Sequence, residues 1–410
     1  MRAVWTILFL LLIGQCQAVT IEVGRNKQVT TLAQAINMAQ DGDMIMLYPG
    51  VYQEGTITIT KSIRLIGVNY PVLDGQFKYE ILIVSGRNIA VRGIHFKNAG
   101  YSSMNDFAAI KIIDATNVAI EQNKVTNSYF AIHIGNTTYS AIRNNVLLGT
   151  YKAEHLSGNG VHLWKCSNMT IENNSIQGHR DGIYLEFVTK SNVNKNDSRK
   201  NVRYGLHFMF SHDDAYVGNT FRDNGAGVAV MYSKRVIMTG NHFEQNWGPS
   251  SYGILLKDIT DSHINQNSFY RNTMGIHMEG SSRIEIRENI FRENGWAIRV
   301  QSSCDDNDFH HNNFLGNSFD MATNGSTMLN RFYQNYWDKY DGYDMDKNGI
   351  GDVPHHPVSM YSMIIEQNPN TLMLFRSFAM QLLDKAEKAI PSLTPEELVD
   401  NQPLMKSLKL

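Results

Sequence analysis

One phrase, asparagine followed by any residue and then an apolar side chain, returns along the chain. Its asparagines are Asn123, Asn145, Asn174, Asn196, Asn219, Asn241, Asn267, Asn289 and Asn312, at intervals of 22, 29, 22, 23, 22, 26, 22 and 23 residues. A second phrase keeps the same spacing: a small residue, then apolar, any and apolar. It opens at Gly160, Gly182, Gly205, Gly227, Gly253 and Gly275. Each phrase alternates with period two and so reads as a short strand with one apolar face. No such strand can bury that face alone. Coils stacked in parallel about 4.8 Å apart would bury it in a continuous column. The pattern therefore predicts an all-β fold, a right-handed, single-stranded parallel β-helix of the pectate-lyase-like kind, with coils of about 22 residues. Asparagine and glycine are expected at its corners. Asparagine tolerates left-handed backbone and can bond to its neighbours along the helix axis, and glycine has no Cβ to clash. That use of asparagine argues against reading Asn136-Thr137-Thr138 as a glycosylation site.

The ends break the period. Leu32, Ala35, Ile36 and Ala39 share one face of a short helix that Thr30 or Thr31 would cap, a cover for the first coil's open edge. Asp41, Gly42 and Asp43 stop it, and a strand resumes over 44–48. The repeat fades after about Asn330. An Asp- and Gly-rich loop is expected over 335–357 and a helical extension over 358–410, with one helix from about Thr371 to Ile390 ended by Pro391 and Pro395. The β-helix with its cap would thus span 19–334.

Composition narrows the function. The 410 residues carry a formal charge of −2 with 19% charged residues, so no basic field favours nucleic acid or adhesion to an acidic membrane. Arg2, the apolar run over 6–13 and small residues at Cys16 and Ala18 read as a cleaved signal peptide, residues 1–18. This implies a periplasmic chain, and the run is too short for a membrane span. Cys166 and Cys304, several coils apart, read as buried thiols rather than a disulfide.

Three places could carry chemistry. Alternation turns His133, His162, Tyr184, His207, Ala229, Leu255, His277 and Arg299 outward, and two residues further on Trp164, Glu186, Met209, Met231, Lys257 and Glu279. Met209 and Met231 are 22 residues apart and stack on adjacent coils, with His207 on the same strand as Met209. Thioethers beside an imidazole suit copper(I), with His212 a further candidate ligand. The other reading is that these methionines lie under a loop or a partner. The two long intervals insert residues before Gly160, including His155, and before Gly253. Both insertions enter at one corner and would wall a groove over the same coils. Second, Asp344, Asp346, Asn348 and Asp352, with Gly349, have the spacing of a calcium loop without its last carboxylate, which leaves a hard cation or a solvated turn. Third, Leu372, Phe375, Phe378, Leu382 and Leu383 form an apolar stripe that would cap the last coil or dock a partner. Charges from Arg376 onward exclude a membrane-spanning helix there.

Polysaccharide lyases and epimerases also use this architecture, and Asp181, Tyr184, Glu186, Arg203, His207 and Asp213 could supply acid and base groups. That alternative is fold analogy, and sugar chemistry does not require exposed methionines. No Ser-His-Asp pattern, phosphate loop or HExxH motif is present.

More specific runs are RYGLHFMFSH (203–212), GAGVAVMYS (225–233), TNG (323–325), NYWDKYDGYD (335–344), DVP (352–354), RSF (376–378) and PSLTPE (391–396). With them the chain resembles the NosD family, β-helix proteins that mature the copper sites of nitrous oxide reductase in denitrification. The resemblance implies a periplasmic, non-catalytic protein that helps assemble the reductase's copper–sulfur centre. It implies an ABC transporter and a copper-binding lipoprotein chaperone as partners, and the C-terminal helix as the dock for the transporter's membrane subunit. It also favours copper contact at Met209 and Met231, which fall inside two of the runs.

Overall fold

The structure, a computed structural model, describes residues 18–102, 105–150, 154–325, 329–375, 377–389 and 398–410. The expected signal segment, apart from Ala18, lies outside them, as do Ile390, Pro391 and Pro395.

The chain winds into a right-handed parallel β-solenoid of about 13 turns. A typical coil has three strands, such as Tyr204–Met209, Ala215–Val217 and Thr220–Arg222. Thirteen strands stack into one face, and the other 24 make the remaining two. Those two faces are continuous because Leu82–Arg92 and Ala108–Glu121 run round the corner between them. All ladders between these strands are parallel, as in Leu206↔Val228 and Val228↔Ile254. The interior is a set of like-on-like columns. Phe221, Phe243, Phe269, Phe291, Phe314 and Trp337 stack ring on ring at 4.0–5.5 Å between centroids. All six are essentially fully buried. The glycine column packs against these rings. A Cβ on Gly205 would fall 2.7 Å from the Gly227 carbonyl oxygen and 2.8 Å from the Phe221 ring. The glycine there answers a close approach of backbone to backbone.

The asparagines bond to one another as the spacing suggested. From Asn174 onward each accepts, on its side-chain oxygen, the backbone and side-chain N–H of the asparagine one coil earlier, as Asn219 does from Asn196. The side-chain amide of Asn219 donates in turn to Asn241 and to the carbonyl of Val193. Burial without loss of hydrogen bonds is thereby met at every step. One detail differs from expectation. The left-handed residue is the one before each column asparagine, among them Asn144, Asn173, Lys195, Gln266, Glu288 and His311, with φ of 52–56°. The column asparagine itself must aim its amide along the axis and keeps ordinary backbone. A second asparagine column, Asn201, Asn224, Asn246, Asn272, Asn294 and Asn317, runs at the next corner. The N-x4-N spacing from Asn196 to Asn201 onward was its trace in the sequence.

The N-terminal helix Leu32–Met38 has Thr31 as its cap, whose hydroxyl accepts from the Gln34 amide, and buries Leu32, Ala35 and Ile36 over the first coils. The C-terminal segment departs from the single helix expected. It contains Met360–Gln367, a 3-10 turn Pro369–Leu374, and Phe378–Ala389. Pro369 forces Asn368 into extended backbone, and Phe375 is extended as well, so neither junction continues a helix. The described tail 398–410 is not helical either. It returns to the last coil through parallel bridges of Asp400 to Phe332 and of Leu404 to Tyr336. Cys166 and Cys304 are buried free thiols, with burial pushing Cys166 up to about 11.

Candidate functional site

Strand register fixes the outward columns. His133, His162, Tyr184, His207, Ala229, Leu255, His277 and Arg299 follow one another on successive coils. Two residues along each strand, Trp164, Glu186, Met209, Met231, Lys257 and Glu279 do the same.

The first column is a packed polar ladder rather than an open row. The His133, His162, Tyr184 and His207 rings stand 4.7–4.9 Å apart in sequence, and Tyr204 closes on His207 at 4.9 Å. Under them lies Asp181, fully buried. Arg203 grips its carboxylate with Nε at 2.9 Å and Nη2 at 2.5 Å, and His207 Nδ1 lies 3.5 Å away. Burial alone would raise the Asp181 carboxyl. The Arg203 and His207 contacts outweigh it and hold the group at about 2. His162 goes the other way: burial, then the neighbouring His133, pushes its imidazole down to about 3. Burial thus disfavours charge on His133 and His162, beside a fixed Arg203–Asp181 ion pair. The insertion before Gly160 supplies the 3-10 turn Glu154–Leu156, and the Glu154 carboxylate reaches 3.6 Å from Arg203. The insertion before Gly253 places Tyr252 against His277 at 5.3 Å. Both insertions thus flank the histidine–tyrosine ladder, at the start of its strands. Glu154 is a member that residue type alone could not have assigned.

Met209 and Met231 are in direct register and both half-buried. They lie nearer the opposite end of the strands, beside a feature the sequence reading passed over. Phe187, Phe210 and Tyr232 stack with ring centroids at 5.3 and 5.0 Å, nearly parallel, and all three are exposed. Each has φ of 51–54°, left-handed backbone in which bulky side chains are unusual. Their trace in the sequence was an aromatic residue five positions after Gly182, Gly205 and Gly227. The stack forms an exposed aromatic ridge at the corner that follows the methionine strands. His207 sits on the same strand but is turned into the Asp181 cluster and nearly inaccessible. His212 stands across the Phe210 corner, in a column between Thr189 and Lys234. Among the described residues, no three His, Cys, Asp or Glu side chains converge on one point. A soft ion here would rest on the two thioethers.

In the Asp-rich loop the candidate calcium oxygens accept N–H groups of the loop itself. Asp344 accepts from the amides of Asn348 and Gly349, Asp346 from the amide of Asn348, Asn348 from Ile350, and Asp352 from Met345. These bonds close the loop's own turns. In the C-terminal stripe, Phe375 and Leu383 pack against the cluster of Phe319, Tyr361 and Ile365. Leu372, Phe378 and Leu382 point away, 41%, 79% and 59% exposed. No helix among the described residues is long and apolar enough to cross a membrane.

These coils and ladders define a right-handed parallel β-helix, and residues 79–217 match a family described as "Right handed beta helix region". A second family model, "Periplasmic copper-binding protein (NosD)", matches residues 149–343, which include both methionines and both insertions. The chain is 26% identical over 97% of its length to a "Probable ABC transporter binding protein NosD" of Stutzerimonas stutzeri, covering 93% of that protein. A protein of the same description from Pseudomonas aeruginosa is 26% identical over 42% of this chain and 44% of its own. The chain is thus similar to NosD-named proteins over nearly its whole length. Among solved structures, the catalytic unit of a GH87 α-1,3-glucanase of Streptomyces thermodiastaticus superposes with a TM-score of 0.59 at 12% identity, over 75% of this chain and 63% of that one. The Streptococcus pneumoniae surface adhesin PfbA gives 0.58 at 12% identity, over 80% and 93%. At such identity the likeness is one of fold alone.

Proposed function

We propose that this chain is a periplasmic accessory protein, not an enzyme, for assembly of the copper–sulfur centre of nitrous oxide reductase. It would act with an ABC transporter and a copper chaperone. The observation that carries this reading is the near full-length similarity to proteins named as transporter-binding NosD, joined to the register of Met209 on Met231. Copper(I) is here a cargo. Two thioethers on adjacent coils offer it soft donors and low coordination, and their half-burial keeps the pair partly out of water. The exposed Leu372, Phe378 and Leu382 offer the transporter's membrane subunit an apolar contact, while Phe375 and Leu383 brace the helix from behind. The histidine–tyrosine ladder above Asp181 has the residue types of a sugar-active site, but Asp181 and His207 are sealed and Arg203 is committed to Asp181, which disfavours an acid–base pair built on these three.

The test is a double substitution, Met209→Leu with Met231→Leu, which keeps volume and removes both sulfurs. The variant should fold normally, lose copper(I) binding by titration, and lower the copper content of reductase matured with it. Wild-type copper loading would remove the thioether pair from the reading. Failure to copurify an ABC transporter from native membranes would remove the process itself.

A further inference from the structure

A second histidine cluster lies far along the solenoid from Met209, on the coils that carry Glu285 and His310. It shares no residue with the copper(I) pair, the Asp181 cluster or the C-terminal stripe. His310 ends the strand Asp308–His310, and His311 follows in left-handed backbone at φ 54°. That turn swings the second imidazole back beside the first. The two Nδ1 atoms are 2.9 Å apart. The far nitrogen of His310 meets the Glu285 carboxylate, Nε2 to Oε1 at 3.4 Å. The ring lies flat on Tyr333, centroids 4.8 Å apart and 7° from parallel. Glu285 is itself held by His263 at 3.0 Å and by Arg287 at 3.4 Å.

These contacts favour one tautomer. A carboxylate beside Nε2 favours the proton there and leaves the Nδ1 lone pair of His310 to accept from His311, whose proton a metal would displace. Carboxylate–histidine pairs of this kind orient metal-ligating imidazoles. The spacing also selects a geometry. With metal–nitrogen bonds of about 2.0 Å, a 2.9 Å separation corresponds to an angle of roughly 90° at the metal. That suits the tetragonal preference of nickel(II) or copper(II) better than the tetrahedral preference of zinc. Both side chains are half-buried, so the site is reachable from solvent. The same corner one coil earlier holds Glu288, but its carboxylate is engaged by Gln266 and Arg287. The remaining positions would be filled by water.

We propose that His310 and His311 form a bidentate site for a tetragonal divalent transition-metal ion, with Glu285 as the positioning residue behind His310. The site is independent of the copper(I) reading, since thioethers take no part in it. The experiment is calorimetric titration of tag-free full-length protein with nickel(II), followed by electron paramagnetic resonance of the copper(II) form. His311→Asn is the main variant, because asparagine already occupies the equivalent left-handed corner at positions 144 and 173 and folding should be unaffected. It should remove one nickel(II) equivalent and the two-nitrogen signature of copper(II), while copper(I) titration stays as in the wild type. Glu285→Gln should weaken nickel(II) 10- to 100-fold, and His263→Asn should leave a bound equivalent in place. Unchanged nickel(II) stoichiometry in His311→Asn would overturn the site and reduce the 2.9 Å contact to a hydrogen bond between imidazoles. Unchanged affinity in Glu285→Gln would overturn the role given to the carboxylate.

Discussion

Asp400 ends the asparagine column that Asn335 would otherwise leave open. Its Oδ2 accepts the backbone N–H of Asn335 at 3.0 Å, the side-chain amide of Asn335 at 3.1 Å and the indole N–H of Trp337 at 3.0 Å. A carboxylate 65 residues further along the chain does what the next coil's asparagine would do. It is fully buried, so these bonds have no water to replace them. Asp400→Ala should therefore lower stability by about 3 kcal/mol or more, read as a shift of the urea midpoint. Asp400→Asn keeps an acceptor oxygen and should lose less than half as much. Equal losses in the two variants would show that the charge, not the acceptor, matters.

The two aromatic stacks should respond in opposite ways. Phe269→Ala removes a fully buried ring from the interior stack and should cost about 3–5 kcal/mol. Phe210→Gly removes an exposed ring from left-handed backbone. The lost stacking of about 0.5–1.5 kcal/mol is offset by relief of about 1–2 kcal/mol of backbone strain. Its unfolding free energy should stay within about 1 kcal/mol of wild type, while any partner that reads the ridge should bind more weakly.

Acid should destabilise the protein in a defined window. Burial holds His179, His277 and His355 down to about 4 and His162 to about 3. The unfolded chain takes up these protons near pH 6.5, so stability is full above that value. It is lost progressively as pH falls toward 4. His179→Gln should flatten the pH dependence there by about 1.4 kcal/mol per pH unit. Urea midpoints measured from pH 8 to 4 would check this, and an unchanged slope would count against a neutral His179.

Asp214 has the opposite sign. Burial raises its carboxyl to about 8, while its Oδ1 accepts from the Ser191 amide. Between pH about 4 and 8 only the unfolded chain is ionised at this group. Its contribution is thus greatest below the ordinary carboxylate range and fades as pH rises through 8. Asp214→Asn, which keeps the acceptor, should raise the urea midpoint at pH 7–8 and remove this part of the profile.

Under the docking role proposed for the C-terminal stripe, docking and folding should respond to different substitutions. Phe378→Ser and Leu382→Ser alter exposed positions and should move the unfolding free energy by no more than about 0.5 kcal/mol. Recovery of the transporter's membrane subunit by copurification should fall at least tenfold. Phe375→Ser, by contrast, loses packing on Phe319 and should lower the melting temperature.

The solenoid itself was legible in the sequence because each coil repeats one structural problem. Alternation assigns an inside and an outside, and the 22-residue interval fixes which residue stacks on which. This is why Met209 on Met231 and His207 after Tyr184 could be read from spacing alone. What register does not carry is where a side chain turns once it is outside. Tertiary packing pulled His207 onto Asp181 and away from the methionines. Left-handed corners lined up Phe187, Phe210 and Tyr232 and brought His311 back to His310. Contacts distant in sequence were beyond the repeat as well: the tail closes the column at Asn335, and Pro369 and Phe375 split a helix whose periodicity looked continuous. Local periodicity determines the coil, because every coil sees the same neighbours. The ends and corners have neighbours of their own, and only the folded chain decides them.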